Sequence, residues 1–216
     1  MALIRVFDFE TSGMVAPPAE VVEAGTCDIS LDTMEVGLPR GQLFGVTDLP
    51  PEVRAIHHIT AAEVEGLAPF DPRLFEAAAV QAGAVAMACH NLQFDGQFIA
   101  PALPLICTYK AALRVWPDAP SHSNQALRYW LADQGKLPGF EPAIAWPPHR
   151  APPDSYVTAH VLKALLATGV TGRTMTGWTK QPAVQPVCKL GKHKGKAWDE
   201  VPLDYLEWIT RPTNDI

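Results

Sequence analysis

The sequence predicts an α/β domain built on a mixed β-sheet. Three strand-like runs come first in the chain, and strands and helices then alternate as far as residue 170. The chain has 216 residues, of which 48% are hydrophobic and 19% charged, a composition that disfavours disorder. That length suits one domain of ordinary size with a buried core, plus a small appendage.

The first fifty residues predict three strands with short connections. Residues 3–9 are β-rich and are followed directly by a Thr-Ser-Gly turn signal at 11–13. Residues 20–29 alternate loosely and predict a second strand, and a third is expected over 33–38. The Gly- and Pro-rich residues 37–51 are expected to form a loop.

Strands and helices alternate after this loop. A capping-box pattern at Thr60 and Glu63 predicts the start of a short helix. The later predicted elements are a helix over 72–82, strands over 84–89 and 103–107, a helix ending near 116, a helix over 124–134 capped by Asn124, and a helix over 152–167. A Pro-rich loop over 137–148 precedes the last of these helices.

The composition changes after residue 169. We divide the chain into a main domain over 1–170, a polar linker over 171–186 and a small Lys/Gly-rich extension over 187–216. About 30 residues cannot build an independent core, so the extension is expected to dock on the main domain or on a partner.

The net charge of −6, from 17 Lys and Arg against 23 Asp and Glu, excludes a generally basic nucleic-acid binder. It leaves room for a local basic patch on an acidic body. The four cysteines form no C-x-x-C pair, so we expect buried free thiols and no zinc cluster. Residues 1–5 lack the pattern of a secretory leader, and no run approaches 18 apolar residues, so a cytoplasmic protein without a membrane span is expected.

Acidic residues stand at three places where the predicted elements begin or end. Asp8 and Glu10 are two residues apart in the first strand, so both side chains project from one face. Two adjacent carboxylates repel each other, and a cation between them relieves the repulsion. Asp95 follows an apolar strand, and Asp154 lies in the first turn of a long helix. Each has an ordinary structural interpretation alone, as a solvated strand end or a helix cap.

His149 stands in the Pro-rich loop, five residues before Asp154. Such a histidine is commonly structural, but a loop position allows it to move towards a bound substrate. The four carboxylates and His149 together form a coherent set. Carboxylate oxygens suit Mg²⁺ or Mn²⁺, and two such ions stabilise the attacking and leaving oxygens of a phosphoryl displacement. A histidine can accept the proton of the attacking water near neutral pH.

Three sequence runs carry a family resemblance. FDFETSG over 7–13, HNLQFD over 90–95 and HRAPPD over 149–154 resemble, in order, the three exonuclease motifs of the DnaQ-like 3′→5′ exonucleases, in the histidine-bearing DEDDh branch. The run AIHHIT over 55–60 is similar to the family's H-x-I-T element. Two departures are Phe9, between the first two acids, and Pro152-Pro153; we expect only a packing effect from Phe9.

The resemblance implies a ribonuclease H-like mixed sheet flanked by helices, two Mg²⁺ or Mn²⁺ ions, and release of nucleoside 5′-monophosphates from a 3′ end. It also implies roles for individual residues. The metal ligands would be Asp8, Glu10, Asp95 and Asp154, and His149 would be the general base. The substrate-binding set would comprise Thr11, Ser12, Gly13, His57 and Asn91, with a nucleotide contact for His57 and a structural hydrogen bond for Asn91.

Two further groups could contact a nucleic acid. The extension carries a lysine run with glycines, which suits backbone phosphates but is also typical of a solvated loop; its members are Lys189, Lys192, Lys194 and Lys196. Tyr109, Trp116 and Trp146 could stack on bases, although most such aromatics lie in cores.

The sequence therefore predicts a metal-dependent 3′→5′ exonuclease that acts on DNA, with a role in DNA repair. Three alternatives stay open: an exoribonuclease in RNA processing, an inactive exonuclease-like module that binds nucleic acids, and an editing exonuclease that serves a polymerase in trans. A homodimer and a polymerase or repair partner are both compatible with this prediction.

Overall fold

A computed structural model describes residues 2–211. Residue 1 and residues 212–216 of the predicted extension lie outside the described residues. The sheet has five strands in the order β3-β2-β1-β4-β5. The strands are β1 (Leu3–Thr11), β2 (Val21–Ser30), β3 (Arg40–Leu43), β4 (Ala84–Cys89) and β5 (Leu105–Cys107). β1 pairs antiparallel with β2 and parallel with β4, so the predicted mixed sheet is confirmed.

Helices flank this sheet, as the sequence predicts. The α-helices are α1 (Pro51–His57), α2 (Ala61–Val64), α3 (Pro72–Gln81), α4 (Leu92–Asp95), α5 (Thr108–Val115), α6 (Asn124–Asp133), α7 (Ala151–Ala167), α8 (Gly172–Thr179) and α9 (Leu203–Ile209). The capping box predicted at Thr60 is present at the start of α2. No helix within residues 2–211 is long and apolar enough to cross a membrane.

Apolar cores lie on both faces of the sheet. Alternate β1 residues Ile4 and Val6 belong to the core shared with α5, α6 and α7. Phe7 and Phe9 point to the opposite face, where they pack with each other and with Phe75 of α3. The expected packing role of Phe9 is confirmed. Because alternate side chains of β1 are buried in cores on opposite faces of the sheet, the faces to which the residues after Val6 point are fixed as well.

Three local predictions were wrong. The third strand lies over Arg40–Leu43, not over 33–38, where Val36 makes an isolated bridge to Ile29. β3 is a polar, mostly exposed edge strand, so no hydrophobic alternation marks it. The cap of α6 is Ser123, whose hydroxyl accepts the Ala126 N–H, and not Asn124. The loop expected over 37–51 contains β3 and ends at Pro51, where α1 begins with the proline that helices favour at their first position.

Residues 171–186, expected to be a linker, include a helix. α8 packs against β5 and α5, and the Thr179 hydroxyl accepts the Cys107 N–H at 2.8 Å. The division into domain, linker and extension stays a prediction. All four cysteines are buried free thiols, as expected.

The start of α7 lies directly on β2, at Gly25. A Cβ atom at Gly25 would collide with the backbone of Ala151 and with the nitrogen of Pro152. A Cβ at Gly41 in β3 would likewise collide with the ring of Pro152. Glycine at these two strand positions therefore allows the helix start to approach the sheet closely.

Gly25→Ala should lower the free energy of unfolding by about 1–3 kcal/mol, since the added methyl forces the start of α7 away from β2. Gly177→Ala in α8 is the matched control, because its Cβ would meet no atom within 4 Å and alanine favours a helix. Urea denaturation of both variants measures the difference. Equal stability of the two variants would contradict the close approach.

Candidate active site

The site begins at the end of the buried part of β1. Asp8 and Glu10 continue the face that Ile4 and Val6 present to α7, as the two-residue spacing predicts. Asp154 enters from the first turn of α7. Carboxylate oxygens of Asp8, Glu10 and Asp154 all lie within 4.8 Å of one another.

Asp95 lies beside this group, next to the backbone of β1. It ends the single turn of α4, it is 3% exposed, and its Oδ1 accepts the Phe9 N–H at 3.2 Å. Its charge raises the pKa of Asp8. The structure therefore brings all four predicted acids to one region, three in a tight cluster and Asp95 beside them on the Phe9 backbone.

Burial raises the pKa of every carboxylate in this group, and repulsion between carboxylates adds to it at Asp8 and Glu10. Burial is the largest cause for Asp8, whose pKa lies well above its usual range, and nearby Asp95, Asp154 and Glu10 add to it. The same effects raise the pKa of Glu10 to about 8. Burial raises the pKa of Asp95 to about 7, against the hydrogen bond from the Phe9 N–H. The pKa of Asp154 is raised as well. Without a counter-charge, Glu10 would hold a proton at neutral pH.

The donor set fits divalent cations. The ligand atoms are all carboxylate oxygens, and they converge. Arg150 lowers the pKa of Glu10 and Arg128 lowers that of Asp154, but burial outweighs both effects. A bound cation would favour the ionised form of each carboxylate and relieve the repulsion between them. Asp8, Glu10 and Asp154 would hold such an ion, with Asp95 within reach of the same charge.

Glu10→Gln should stabilise the protein at high pH in the presence of EDTA. The pKa of Glu10 is raised on folding, so its share of the stability is lost as the pH rises from about 4.5 to about 8. Glutamine removes this loss. The melting temperature at pH 8 should rise by at least about 3 °C over the wild type, with a much smaller gain at pH 5.

Differential scanning fluorimetry at pH 5 and pH 8 provides this measurement. Glu65→Gln, at an exposed position outside the cluster, is the control and should leave the pH dependence unchanged. Excess Mg²⁺ should raise the melting temperature of the wild type at pH 8 more than that of Glu10→Gln. Identical pH profiles for the wild type and Glu10→Gln would contradict the burial of a repelled carboxylate.

His149 lies at the mouth of the site. Its backbone has a left-handed conformation with φ of 60°, and its N–H donates to Asp154 Oδ2 at 2.7 Å. The residue is exposed, and its charge lowers the pKa of Asp154. The backbone is therefore tied to the cluster, while the imidazole remains accessible to a substrate.

Two amide side chains that the sequence analysis missed hold Asp154 from α6. Gln125 Nε2 donates to Asp154 Oδ1 at 2.5 Å, and Asn124 Nδ2 donates to the Asp154 carbonyl at 3.1 Å. Both Asp154 oxygens thus have a donor, one from Gln125 and one from the His149 N–H. No local pattern marks Gln125, because its partner lies 29 residues further along the chain.

A buried ion pair fixes the start of α7 to β2. Glu23 is 3% exposed and accepts three hydrogen bonds, from Arg150 Nε at 2.9 Å, Arg150 Nη2 at 2.6 Å and the Ala151 N–H at 2.9 Å. Glu23 stands between the apolar residues Val22 and Ala24, and this position could have marked it as a buried charge in need of a partner. Its partner could not be inferred, because the two residues are 127 positions apart.

Arg150→Ala should lower the free energy of unfolding by about 3 kcal/mol, because it leaves the buried Glu23 charge without its cation. The double variant Glu23→Gln/Arg150→Ala should recover part of this loss, since no buried charge remains. Arg5→Ala is the control at the Arg5–Asp28 pair, whose carboxylate is 32% exposed and can be rehydrated. Chemical denaturation measures all three, and a double variant less stable than Arg150→Ala would contradict this role.

The predicted substrate-binding residues fall into two groups. Thr11 and Ser12 are bound within their own turn, where the Thr11 hydroxyl donates to the Gly13 carbonyl at 2.7 Å and Ser12 Oγ accepts the Glu20 N–H at 2.9 Å. This turn follows Glu10 directly and lies at the edge of the site.

The other two residues differ in accessibility. His57 is 1% exposed, its Nδ1 accepts the Ile59 N–H at 3.0 Å, and burial lowers the pKa of its ring. Asn91 is exposed in a left-handed conformation that asparagine tolerates well, and among residues 2–211 its side chain has no hydrogen-bond partner. The structure therefore does not show the hydrogen bond expected for Asn91.

The lysine run forms part of a compact turn. The Cys188 N–H donates to the Lys196 carbonyl, and the Gly195 N–H donates to the Cys188 carbonyl, both at 2.8 Å. All four lysine residues of the run are exposed. Among the aromatic candidates, Trp116 is a core residue packed on Trp130, Tyr109 is half-buried, and Trp146 is 65% exposed.

Comparison with known proteins gives matches among solved structures. No family model matches the chain, and no curated protein matches it in sequence. Cell-death related nuclease 4 matches with a TM-score of 0.60 and 18% identity over 77% of this chain and 64% of its own. The zinc-bound complex of E. coli exonuclease I with single-stranded DNA matches with a TM-score of 0.56 and 17% identity over 78% of this chain and 41% of its own.

The resemblance to the DnaQ-like 3′→5′ exonucleases that the three motifs predict is confirmed by these structural matches together with the match to exonuclease X. The chain has the ribonuclease H-like exonuclease fold. Exonuclease X, in complex with 5′-overhanging duplex DNA, matches with a TM-score of 0.63 and 29% identity, over 82% of this chain and 99% of its own. From the sequence alone, the run at 113–117 followed by Ser123-Asn124 and the run at 190–196 predict a resemblance to bacterial exonuclease X.

Proposed function

We propose that this protein is a metal-dependent 3′→5′ exodeoxyribonuclease of the DEDDh type. The observation that carries the proposal is the convergence of Asp8, Glu10 and Asp154 within 4.8 Å, with His149 tied to Asp154 at the mouth of the site. The match to exonuclease X, which is described in complex with DNA, supports DNA as the substrate. Removal of 3′-terminal nucleotides is a step that DNA repair requires, so we place the protein in repair.

The chain's own residues have distinct parts in this mechanism. Asp8, Glu10, Asp95 and Asp154 would hold two Mg²⁺ or Mn²⁺ ions, which when bound neutralise phosphate charge and lower the pKa of water. The imidazole of His149 accepts the proton of a water that attacks the terminal phosphorus. The bond from phosphorus to the 3′ oxygen of the preceding nucleotide breaks, that oxygen takes up a proton, and a nucleoside 5′-monophosphate leaves.

Contacts from β2 and α6 fix the positions of Asp154 and of the backbone next to His149. Glu23 holds Arg150 and the Ala151 N–H, so the chain between His149 and α7 is fixed to the sheet. Gln125 holds the side chain of Asp154.

The four buried thiols, none of them in a disulfide, agree with a reducing compartment, and we place the protein in the cytoplasm.

Replacement of Asp8 by Asn or of His149 by Ala should abolish most of the activity. We expect a loss of at least about 100-fold in kcat for His149→Ala, the typical contribution of a general base. Stepwise shortening of a 5′-labelled DNA oligonucleotide with Mg²⁺ is the assay, and EDTA should stop it. Asp118→Asn, at an exposed position outside the site, is the matched control. Undiminished shortening by either site variant would refute the proposal.

Two rival functions give different results in the same assay. An exoribonuclease would shorten a matched RNA oligonucleotide faster than the DNA one. An inactive binding module would retain the oligonucleotide intact, with or without EDTA. Co-purification of a polymerase would favour the editing function.

A further inference from the structure

A cleft of about 560 Å³ lies between the main domain and residues 183–198, which we call the C-terminal segment. The main domain contributes Asn91, Tyr109 and Asn124 to its walls, and the C-terminal segment contributes Gln185 and Lys189. Its volume falls within the usual range for small-ligand sites. The proposed mechanism uses none of the residues from the C-terminal segment.

The C-terminal wall of this cleft is held by specific contacts. Gln185 Nε2 donates to the Tyr109 hydroxyl at 2.9 Å, and Trp198 Nε1 donates to the Gln185 carbonyl at 2.7 Å. Cys188, next to Lys189, is buried and closes the compact turn with Lys196. Lys189 is therefore presented to the cleft by a hydrogen-bonded segment.

Two oxygen atoms in the walls have no partner. Asn124 Oδ1 and Gln185 Oε1 are buried, and neither has a hydrogen-bond partner within the described residues. Both oxygens are closed to solvent, so a ligand reaches them only when the Asn124 or Gln185 side chain turns towards the cleft. An unpaired buried acceptor costs about 1–3 kcal/mol, which favours such a turn towards a ligand that donates N–H groups. Asn124 also donates to the backbone carbonyl of Asp154, so this wall of the cleft contacts a residue of the carboxylate cluster.

The cleft thus combines one cation, an aromatic ring and two unpaired amide oxygens, directly beside the carboxylates. We propose that it binds one nucleotide of the substrate strand, upstream of the nucleotide that is removed. The base donates its N–H groups to Asn124 and Gln185, and its phosphate contacts Lys189. This inference rests on the proposed function, because it assumes that the strand ends at the carboxylate cluster.

Lys189→Gln tests the phosphate contact. One lysine–phosphate contact on a single strand changes the slope of log K against log[salt] by about 0.7, which is about fivefold in affinity at 0.1 M salt. We expect Lys189→Gln to raise the Kd for a fluorescent single-stranded DNA by about fivefold and to reduce the salt slope. Phosphorothioate 3′ linkages slow hydrolysis during the anisotropy measurement. Lys180→Gln, an equal charge change at an exposed position outside the cleft, should bind like the wild type.

The same variants separate this inference from the proposed function. The p-nitrophenyl ester of thymidine 5′-monophosphate reports hydrolysis at the carboxylates without an upstream nucleotide. Lys189→Gln should raise the KM for DNA and leave hydrolysis of the ester unchanged. If the wild type hydrolyses both substrates but Lys189→Gln matches Lys180→Gln, the cleft proposal is overturned and the proposed function stands. If the wild type hydrolyses neither, the proposed function fails, and equal Kd values for Lys189→Gln and Lys180→Gln would still overturn the cleft proposal.

An abasic unit identifies the contacted base. The unit is moved one position at a time upstream from the 3′ end of the fluorescent oligonucleotide. One position should raise the Kd for the wild type. If no position does so, the cleft does not bind a base and the proposal is wrong.

Discussion

The close approach of α7 to β2 is the contact on which the site depends. Gly25 faces the start of α7 and stands opposite Asp8 in the β1–β2 register. Two residues away, Glu23 binds Arg150 and the Ala151 N–H, so the helix start is held by backbone contact and by charge. Asp154 therefore reaches Asp8 and Glu10 from a fixed direction. A larger side chain in place of Gly25 would separate the strand acids from the helix acid without altering any of them.

The acid cluster opposes the stability of the metal-free fold. Burial and repulsion raise the pKa of Asp8 and Glu10, so ionising them costs free energy that the rest of the structure must offset. The other face of β1 does so: Phe7 and Phe9 are almost fully buried among aromatic rings. The alternation of side chains along β1 thus places the stabilising Phe7 and Phe9 next to the destabilising carboxylates in the same strand. This trade between stability and function is common at active sites.

Local patterns predicted most of the fold and the site acids, whereas the supporting contacts were beyond them. The spacing of Asp8 and Glu10 and the apolar run of β4 are properties of a few neighbouring residues. β3 owes its place to pairing with β2 and to the Pro152 ring against Gly41, neither of which leaves a hydrophobic pattern in Arg40–Leu43. Glu23–Arg150 is a pairing between distant positions, for which one sequence contains no register. The sequence thus pointed to the four acids that the structure brings to one region, and the structure shows which contacts position them.

The distribution of charge explains how an acidic protein can present a basic surface. Several cations of the main domain are engaged internally: Arg150 pairs with Glu23, and Lys110 donates to the carbonyls of Thr179 and Gln181 at 2.8 and 2.7 Å. The Lys110 contacts also fasten the end of α8, from which the chain continues towards the lysine run. One set of cations therefore positions the segment, and another, including the exposed Lys189, is left at its surface. The net charge of −6 averages these with a carboxylate cluster suited to cations, so it says little about where an anionic strand would bind.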